Sequence, residues 1–486
     1  MKHNVFLAIL LAVLVLYFVP ANAVAQKTKI KGKPKTVRSQ QEKQTKSFIV
    51  KNIENSEIKL NLSSEPIKPK DLIKVPEHRY VQVPIGPKVP NKYTSTEINL
   101  LNLRAEPSII KNVLVMPTGA RPDQVAEPTV AVKGDFIFYT ANHFAAFSSD
   151  GGQNFTYVSP WQAFNGTPYE FCCDQVAVYI PKIDMIVWSL QALSYRVQLI
   201  LYATPENARQ GVWRKILFTP SNLGVPGGEL DYTDMSFGDN MLYWSTNVFS
   251  SENSSVVVRI PLEGLKNGNP QPRASGRRWG VRLVQNTGNV GYFAAHVNTS
   301  TLRVYSWAET ADEPTWKDVT VPSWNHAVGW GPVGSRVVGA TKAGNDLWFA
   351  WNANERTLDR PTKYAQVARV NAQDFTLIDS PDLWNGDFRI GIPALATNTL
   401  NNEIGVSYVF GRNHNHGVGL LTGSRVFFTT SQGSFDVAGS RWGDYLCIRQ
   451  LYDNTGTPQP PGLFAATGYT MTSNSVVQPR LILFGR

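Results

Sequence analysis

Seven stretches of this chain begin alike, and their spacing limits the folds open to it more than any single motif does. Near Pro128, Asp174, Asp234, Tyr292, Val338, Pro393 and Asp444 a small or polar residue opens a short run. A turn follows, then an apolar run carrying Trp or Tyr, another turn and a more polar run. Successive openings lie 46, 60, 58, 46, 55 and 51 residues apart. The apolar runs are short, as in Phe136-Ile137-Phe138-Tyr139, Met185-Ile186-Val187-Trp188 and Leu347-Trp348-Phe349-Ala350-Trp351, and Gly, Asn, Asp and Pro separate them. That punctuation marks β-strands and not amphipathic helices. A unit of about 40–60 residues with several strands cannot bury both faces alone and completes its core by stacking on copies of itself. The expected fold is therefore an all-β β-propeller spanning residues 120–486, with seven blades and six as the alternative. A pair of β-sandwiches would leave the recurrence unexplained.

The chain ahead of residue 120 has a different character. Lys2 and His3 precede an apolar run from Val5 to Val19, and Ala21-Asn22-Ala23 follows as a small-x-small cleavage site. Residues 1–23 therefore read as a secretory signal, which makes the mature protein secreted, cell-surface or periplasmic. The apolar run is shorter than the ~20 residues of a spanning helix, and no later segment is long and apolar enough, so no transmembrane helix is expected after cleavage. Residues 24–119 read as a basic, largely extended segment. Residues 1–100 hold 17 Lys and Arg against 7 Asp and Glu, which is the whole of the net charge of +10. The propeller region is balanced, so no nucleic-acid partner is expected; the basic stretch reads as a solvated spacer or as a tether to anionic envelope polymers.

Three cysteines in a secreted chain leave at least one unpaired. Cys172 and Cys173 are adjacent and could join in a vicinal disulfide, or one of them could pair with Cys447.

Ser148-Ser149-Asp150-Gly151-Gly152-Gln153-Asn154-Phe155 has the form Ser-x-Asp-x-Gly-x-x-aromatic. The carboxylate of Asp150 can accept from turn amides, Gly152 can take a positive φ, and Phe155 can plug the core beneath the turn. The motif resembles the Asp-box, the repeat of bacterial neuraminidases and related sialidase-like propellers. In that family it is a structural hairpin away from the active centre, so it speaks for fold and not for catalysis. A shorter echo, Thr310-Ala311-Asp312 followed by Trp316, lacks one residue of the spacing.

The first strand of each propeller blade lines the central channel, so blade openings converge on one mouth. Asp174, Asp234 and Asp444 stand at similar points of three openings. Their carboxylates would raise one another's pKa, providing a general acid, or hold a structural cation such as calcium; otherwise each caps its own turn. No other cofactor is called for. Arg336, Arg389 and Arg441 precede openings, and three guanidinium groups on one point would clamp a carboxylate. Sialidases grip their substrate with such an arginine triad. Phe388-Arg389-Ile390-Gly391-Ile392-Pro393 is similar to their Phe-Arg-Ile-Pro signature, although two extra residues separate Arg from Pro and it falls late in the chain. A sialidase also needs a tyrosine nucleophile with a glutamate beside it: Tyr232, Tyr445 and Glu229 are the available groups. Trp442 could stack on a sugar ring. The resulting expectation is a carbohydrate-active propeller, an exo-sialidase-like glycoside hydrolase acting on an anionic glycan or cell-surface polysaccharide. A non-catalytic glycan- or protein-binding propeller is the alternative, and a polysaccharide lyase the third. His414 and His416 lie two apart in a stretch that reads as a loop, and no P-loop, dinucleotide fingerprint, His-Glu-x-x-His or Gly-x-Ser-x-Gly occurs.

Overall fold

The structure, a computed structural model, describes residues 46–67, 106–115, 126–326, 336–356, 360–422, 425–434, 443–473 and 476–486. The signal segment, most of the basic stretch, and Arg441 and Trp442 lie outside these residues. Seven antiparallel sheets form a seven-bladed β-propeller. The innermost strands, blade by blade, are Thr129–Lys133, Phe171–Ile180, Glu229–Phe237, Arg282–Leu283, Val337–Ala343, Ile390–Thr397 and Ile448–Gln450. Each packs on the next, and the seventh packs on the first. Small residues hold these strands close to the axis. A Cβ on Gly339 of blade 5, for example, would come within 2.4 Å of the Pro393 carbonyl oxygen of blade 6.

The ring closes with a strand from ahead of residue 120. Ser108–Leu114 is the fourth strand of blade 7, paired with the C-terminal strand Val476–Gly485, so the two parts of the chain complete one sheet. Further upstream, Phe48–Ile49, Glu54–Lys59 and Leu62–Ile67 add a fifth, outermost strand to blades 3, 2 and 1 in turn. The segment read as an extended linker thus supplies strand edges to four blades. Pairing satisfies backbone groups that an open outer edge would leave to solvent or to another chain.

The core lies between blades, where second strands place large aromatics against their neighbours. Trp188 and Trp244 are fully buried. The Trp188 indole donates to Gln175 Oε1 at 2.9 Å, and that of Trp244 to Thr233 Oγ1 at 2.7 Å, so each buried N–H is satisfied. Thr233 in turn shares a hydrogen bond with Ser189 of blade 2 at 3.0 Å, tying adjacent blades through polar groups. In blade 4 the sequence expectation needs correction. Its inner strand begins at Arg282, and Tyr292 belongs to the second strand, Val290–Asn298.

Ser148–Phe155 joins the third and fourth strands of blade 1. Asp150 Oδ1 accepts from the Ser148 hydroxyl and from the amides of Gln153 and Asn154, at 2.7, 2.9 and 2.9 Å. Gly152 has φ +87°, and Phe155 is buried. Burial, the largest single influence on the Asp150 pKa, pulls it up, but the donors from Asn154, Ser148 and Gln153 together hold it below the ordinary carboxylate range. Asp312 occupies the corresponding turn of blade 4 and behaves differently: it is exposed and pairs with Arg273 at 3.2 Å.

Candidate functional site

The inner strands share a local distortion. Glu127, Asp174, Tyr232, Gly280, Ile392 and Gly443 all have positive φ, between +45° and +92°; Asp174, Tyr232 and Ile392 lie near the starts of their inner strands, and Glu127, Gly280 and Gly443 precede theirs. At Tyr232 the register slips, Asp231 pairing with Asn247 and Thr233 with Thr246, so Tyr232 is an extra residue in the strand. Slips recur beside Asp174, Val338 and Ile392. Such bulges re-aim side chains, and non-glycine residues in the left-handed region cost of order 1 kcal/mol or more, a strain that concentrates at functional sites. Ile392, being β-branched, is the least suited to it; its amide is held by Asn352 Oδ1 at 2.7 Å.

Around this mouth the carboxylates sit in a defined network. Glu127 is fully buried; its Oε1 accepts from the Asp444 amide at 2.7 Å and its Oε2 from the Asn142 side chain at 2.8 Å. Asn142 Oδ1 accepts from the Asp174 amide at 3.3 Å. Blades 7, 1 and 2 are thereby linked through one buried acid. Asp174 and Asp444 are each 8% exposed. Beside them the rings of Tyr232 and Tyr445 lie 5.6 Å apart, and Arg336 caps the Tyr232 ring at 5.8 Å. Burial drives the Tyr445 hydroxyl far above the ordinary tyrosine range, with the charges of Asp174 and Glu127 adding to it. Burial also raises Tyr232, and Arg282 only partly opposes it.

Asp234 stands one layer deeper. It is 1% exposed and accepts from the amides of Leu283 and Met235 at 2.9 and 3.0 Å. Arg282 Nε lies 3.4 Å from its Oδ2, and the same guanidinium donates to the Tyr232 hydroxyl. Thr129, Val176, Asp234, Arg282, Ala394 and Tyr445 narrow the channel here to a space of about 10 Å3. A space of that size holds no sugar ring, so a ligand as large as a sugar would rest on the mouth.

Asp174, Asp444, Tyr232, Tyr445 and Arg336 therefore share the mouth, with Asp234 beneath them. Glu229 does not serve Tyr232: its carboxylate is about half exposed and faces Arg196 at 3.6 Å, whereas the Tyr232 hydroxyl is engaged by Arg282. Arg389 lies beside Lys363, whose pKa falls through burial first and the charge of Arg389 second. Among the described residues no three of His, Cys, Asp or Glu are grouped to hold a metal ion. Cys172 and Cys173 form a vicinal disulfide immediately ahead of the Asp174 bulge, and Cys447 is a buried free thiol.

Glu127 and Arg282 were not singled out from sequence. Glu127 could have been found as the acid preceding Pro128, itself a blade opening. Arg282 was hidden by the misplaced opening of blade 4. The hairpins and links on this face also carry exposed aromatics: Trp161 is 44% exposed, Tyr195 37% and Phe249 39%. Trp161 stacks on His143, and Phe249 meets Trp279 edge-on at 4.6 Å.

No protein-family model matches the chain, and no curated protein matches it. Solved structures similar to it include propellers, at low identity. The β-propeller domain of the Trilobed protease from Pyrococcus furiosus is 8% identical, with a TM-score of 0.41 over 74% of this chain and 95% of that one. BBS1N, solved in complex with ARL6DN, is 10% identical, with a TM-score of 0.42 over 79% and 98%. Trypanosoma rangeli sialidase in complex with sialic acid is 10% identical, with a TM-score of 0.39 over 73% of this chain and 59% of that one, so this chain spans little more than half of that protein.

Proposed function

We propose that the channel mouth and its aromatic rim form a carbohydrate-binding surface for acidic glycans. The observation that carries this reading is the placement of exposed aromatic rings on the same face as the buried-edge carboxylates. Trp161, Tyr195 and Phe249 offer flat apolar faces for sugar C–H groups, Asp174 and Asp444 offer acceptors for hydroxyls, and Arg336 offers a counter-charge for a sugar carboxylate. Binding is favoured over sialidase-type hydrolysis because that mechanism needs an activated tyrosine. Tyr232 and Tyr445 are both shifted toward the protonated form, and Glu229 is turned to Arg196. Hydrolysis keeps one specific support, the two mouth carboxylates Asp174 and Asp444, either of which could act as an acid.

The test is calorimetric titration of the purified chain with sialosides and uronic-acid oligosaccharides, together with a product-release assay. Trp161→Ala is expected to weaken binding about fivefold, from about 1 kcal/mol of lost stacking, and Arg336→Gln to weaken acidic sugars selectively. Binding without product release supports the proposal. Product release abolished by Asp444→Asn would replace it with hydrolysis. Absence of binding to any glycan tested would overturn both.

A further inference from the structure

The opposite end of the channel holds a pocket that the mouth does not use. Its volume is about 100 Å3, and six blades contribute to its wall. Ala131, Val178, Ala396 and Ile448 give that wall apolar patches, while Gln285, Asn286, Thr287, Thr397, Arg449 and Gln450 put polar groups into it. Most polar groups nearby are committed within the protein. Gln285 Nε2 donates to the Met235 carbonyl at 3.0 Å, Asn286 to that of Lys342 at 3.0 Å, and Gln450 binds Thr399 through both ends of its amide.

Arg449 is the exception. It lies on the inner strand of blade 7, and its one hydrogen bond among the described residues, from an η nitrogen to the Ala177 carbonyl, is long at 3.4 Å. Its Nε is buried and has no partner. Among the described residues no carboxylate comes within 4.0 Å of its guanidinium; Asp239, the acid on the pocket wall, is an exposed residue at the rim. By contrast Arg282, on the inner strand of blade 4, and the buried Arg360 and Arg369 of blade 5 each pair with an aspartate. A half-buried guanidinium is best satisfied by an anion or several acceptors, and among the described residues the protein supplies one weak acceptor.

We infer that this pocket binds a small oxyanion, a carboxylate or an inorganic anion such as sulfate, on the guanidinium of Arg449. The planar fork of arginine presents paired donors that match two oxygens of such a group. The pocket admits a few non-hydrogen atoms and no sugar, so this site is separate from the glycan surface proposed above and does not depend on it.

The probes are sodium sulfate and sodium acetate, added to the purified full chain at ionic strength held constant with sodium chloride. One or both should raise Tm saturably by about 2 °C, as expected when a ligand binds only the folded state, and should give a one-site calorimetric isotherm. Arg449→Gln should abolish both responses, Arg449→Lys should retain a weakened one, and Arg303→Gln, on the third strand of blade 4 away from both ends of the channel, should leave them unchanged. If wild type and Arg449→Gln respond equally, or if neither anion gives a saturable response in wild type, the inference is wrong. Should Arg449→Gln not fold, the isotherm of wild type against that of Arg449→Lys decides: equal affinities overturn the assignment.

Discussion

Replacing Arg282 by Met tests how the channel centre is held. The guanidinium is 10% exposed and Asp234 2%, with 3.4 Å between Nε and Oδ2. At the effective dielectric of a protein site, that separation corresponds to gross attraction on the order of 5 kcal/mol, much of it offset by desolvation of both ions. Removing one member of a buried pair typically costs about 3–5 kcal/mol, because the other charge stays behind. Asp234 would still accept from the amides of Leu283 and Met235, so the lower end, about 3 kcal/mol, applies. Asp234→Asn should cost a similar amount by stranding Arg282, whereas the double variant should recover about 2 kcal/mol relative to the sum of the two. Urea unfolding followed by tryptophan fluorescence, with m compared across variants, measures this directly. Single variants costing under about 1 kcal/mol, or strictly additive effects, would refute the view that the pair acts as a unit.

Three further outcomes follow from other parts of the ring. Asp150→Ala removes the acceptor of three turn donors and is expected to cost about 1–2 kcal/mol and to speed amide exchange at Gln153 and Asn154, while Asp312→Ala leaves both unchanged; thermal melts and hydrogen exchange check this. His416 is fully buried against Ser407 and Thr430, and burial first, with the charges of His414 and Arg480, pushes its pKa down to about 3. Its folded pKa lies below the unfolded value of about 6.5, so the unfolded chain binds the proton first. Stability is thus full above about pH 6.5 and falls by about 1.4 kcal/mol per unit as pH drops toward 3, a slope that His416→Gln should reduce in pH-dependent urea titrations. Deleting residues 46–67 should lower Tm but keep one transition, since it strips only fifth strands. Deleting residues 106–115 should abolish cooperative unfolding, because blade 7 loses its fourth strand.

The blade period was legible because it arises from the same alternation that builds each sheet, and six of the seven openings read from sequence fall at inner strands. Blade 4 misled because its inner strand, Arg282–Leu283, is only two residues long, while the aromatic second strand from Val290 looks like an opening. The outer strands at Phe48–Ile49, Glu54–Lys59 and Leu62–Ile67 were illegible for a related reason. An edge strand packs little and is mostly exposed, as Glu54–Lys59 is, so its composition is that of a solvated segment. The vicinal disulfide was one of the three pairings open to three cysteines, and only the strand geometry separates Cys447 from the other two.

The mouth was legible by position and not by partnership. Asp174, Asp234 and Asp444 were placed at similar points of their blades, and they do fall near the same bulge. Their offsets from the left-handed residue nevertheless differ: Asp174 is itself that residue, Asp444 follows one, and Asp234 comes two after Tyr232. In a strand a shift of one residue turns the side chain to the other face, and a bulge adds a further turn, so equal spacing in sequence does not give equal aim. Asp234 turns inward to Arg282, whereas Asp174 and Asp444 stand beside the Glu127–Asn142 network. Any reading that treats the three acids as one cluster, whether as a cation cage or as a shared proton site, therefore meets a layered arrangement, in which Asp234 neutralises Arg282 below and Asp174 and Asp444 stand at the mouth.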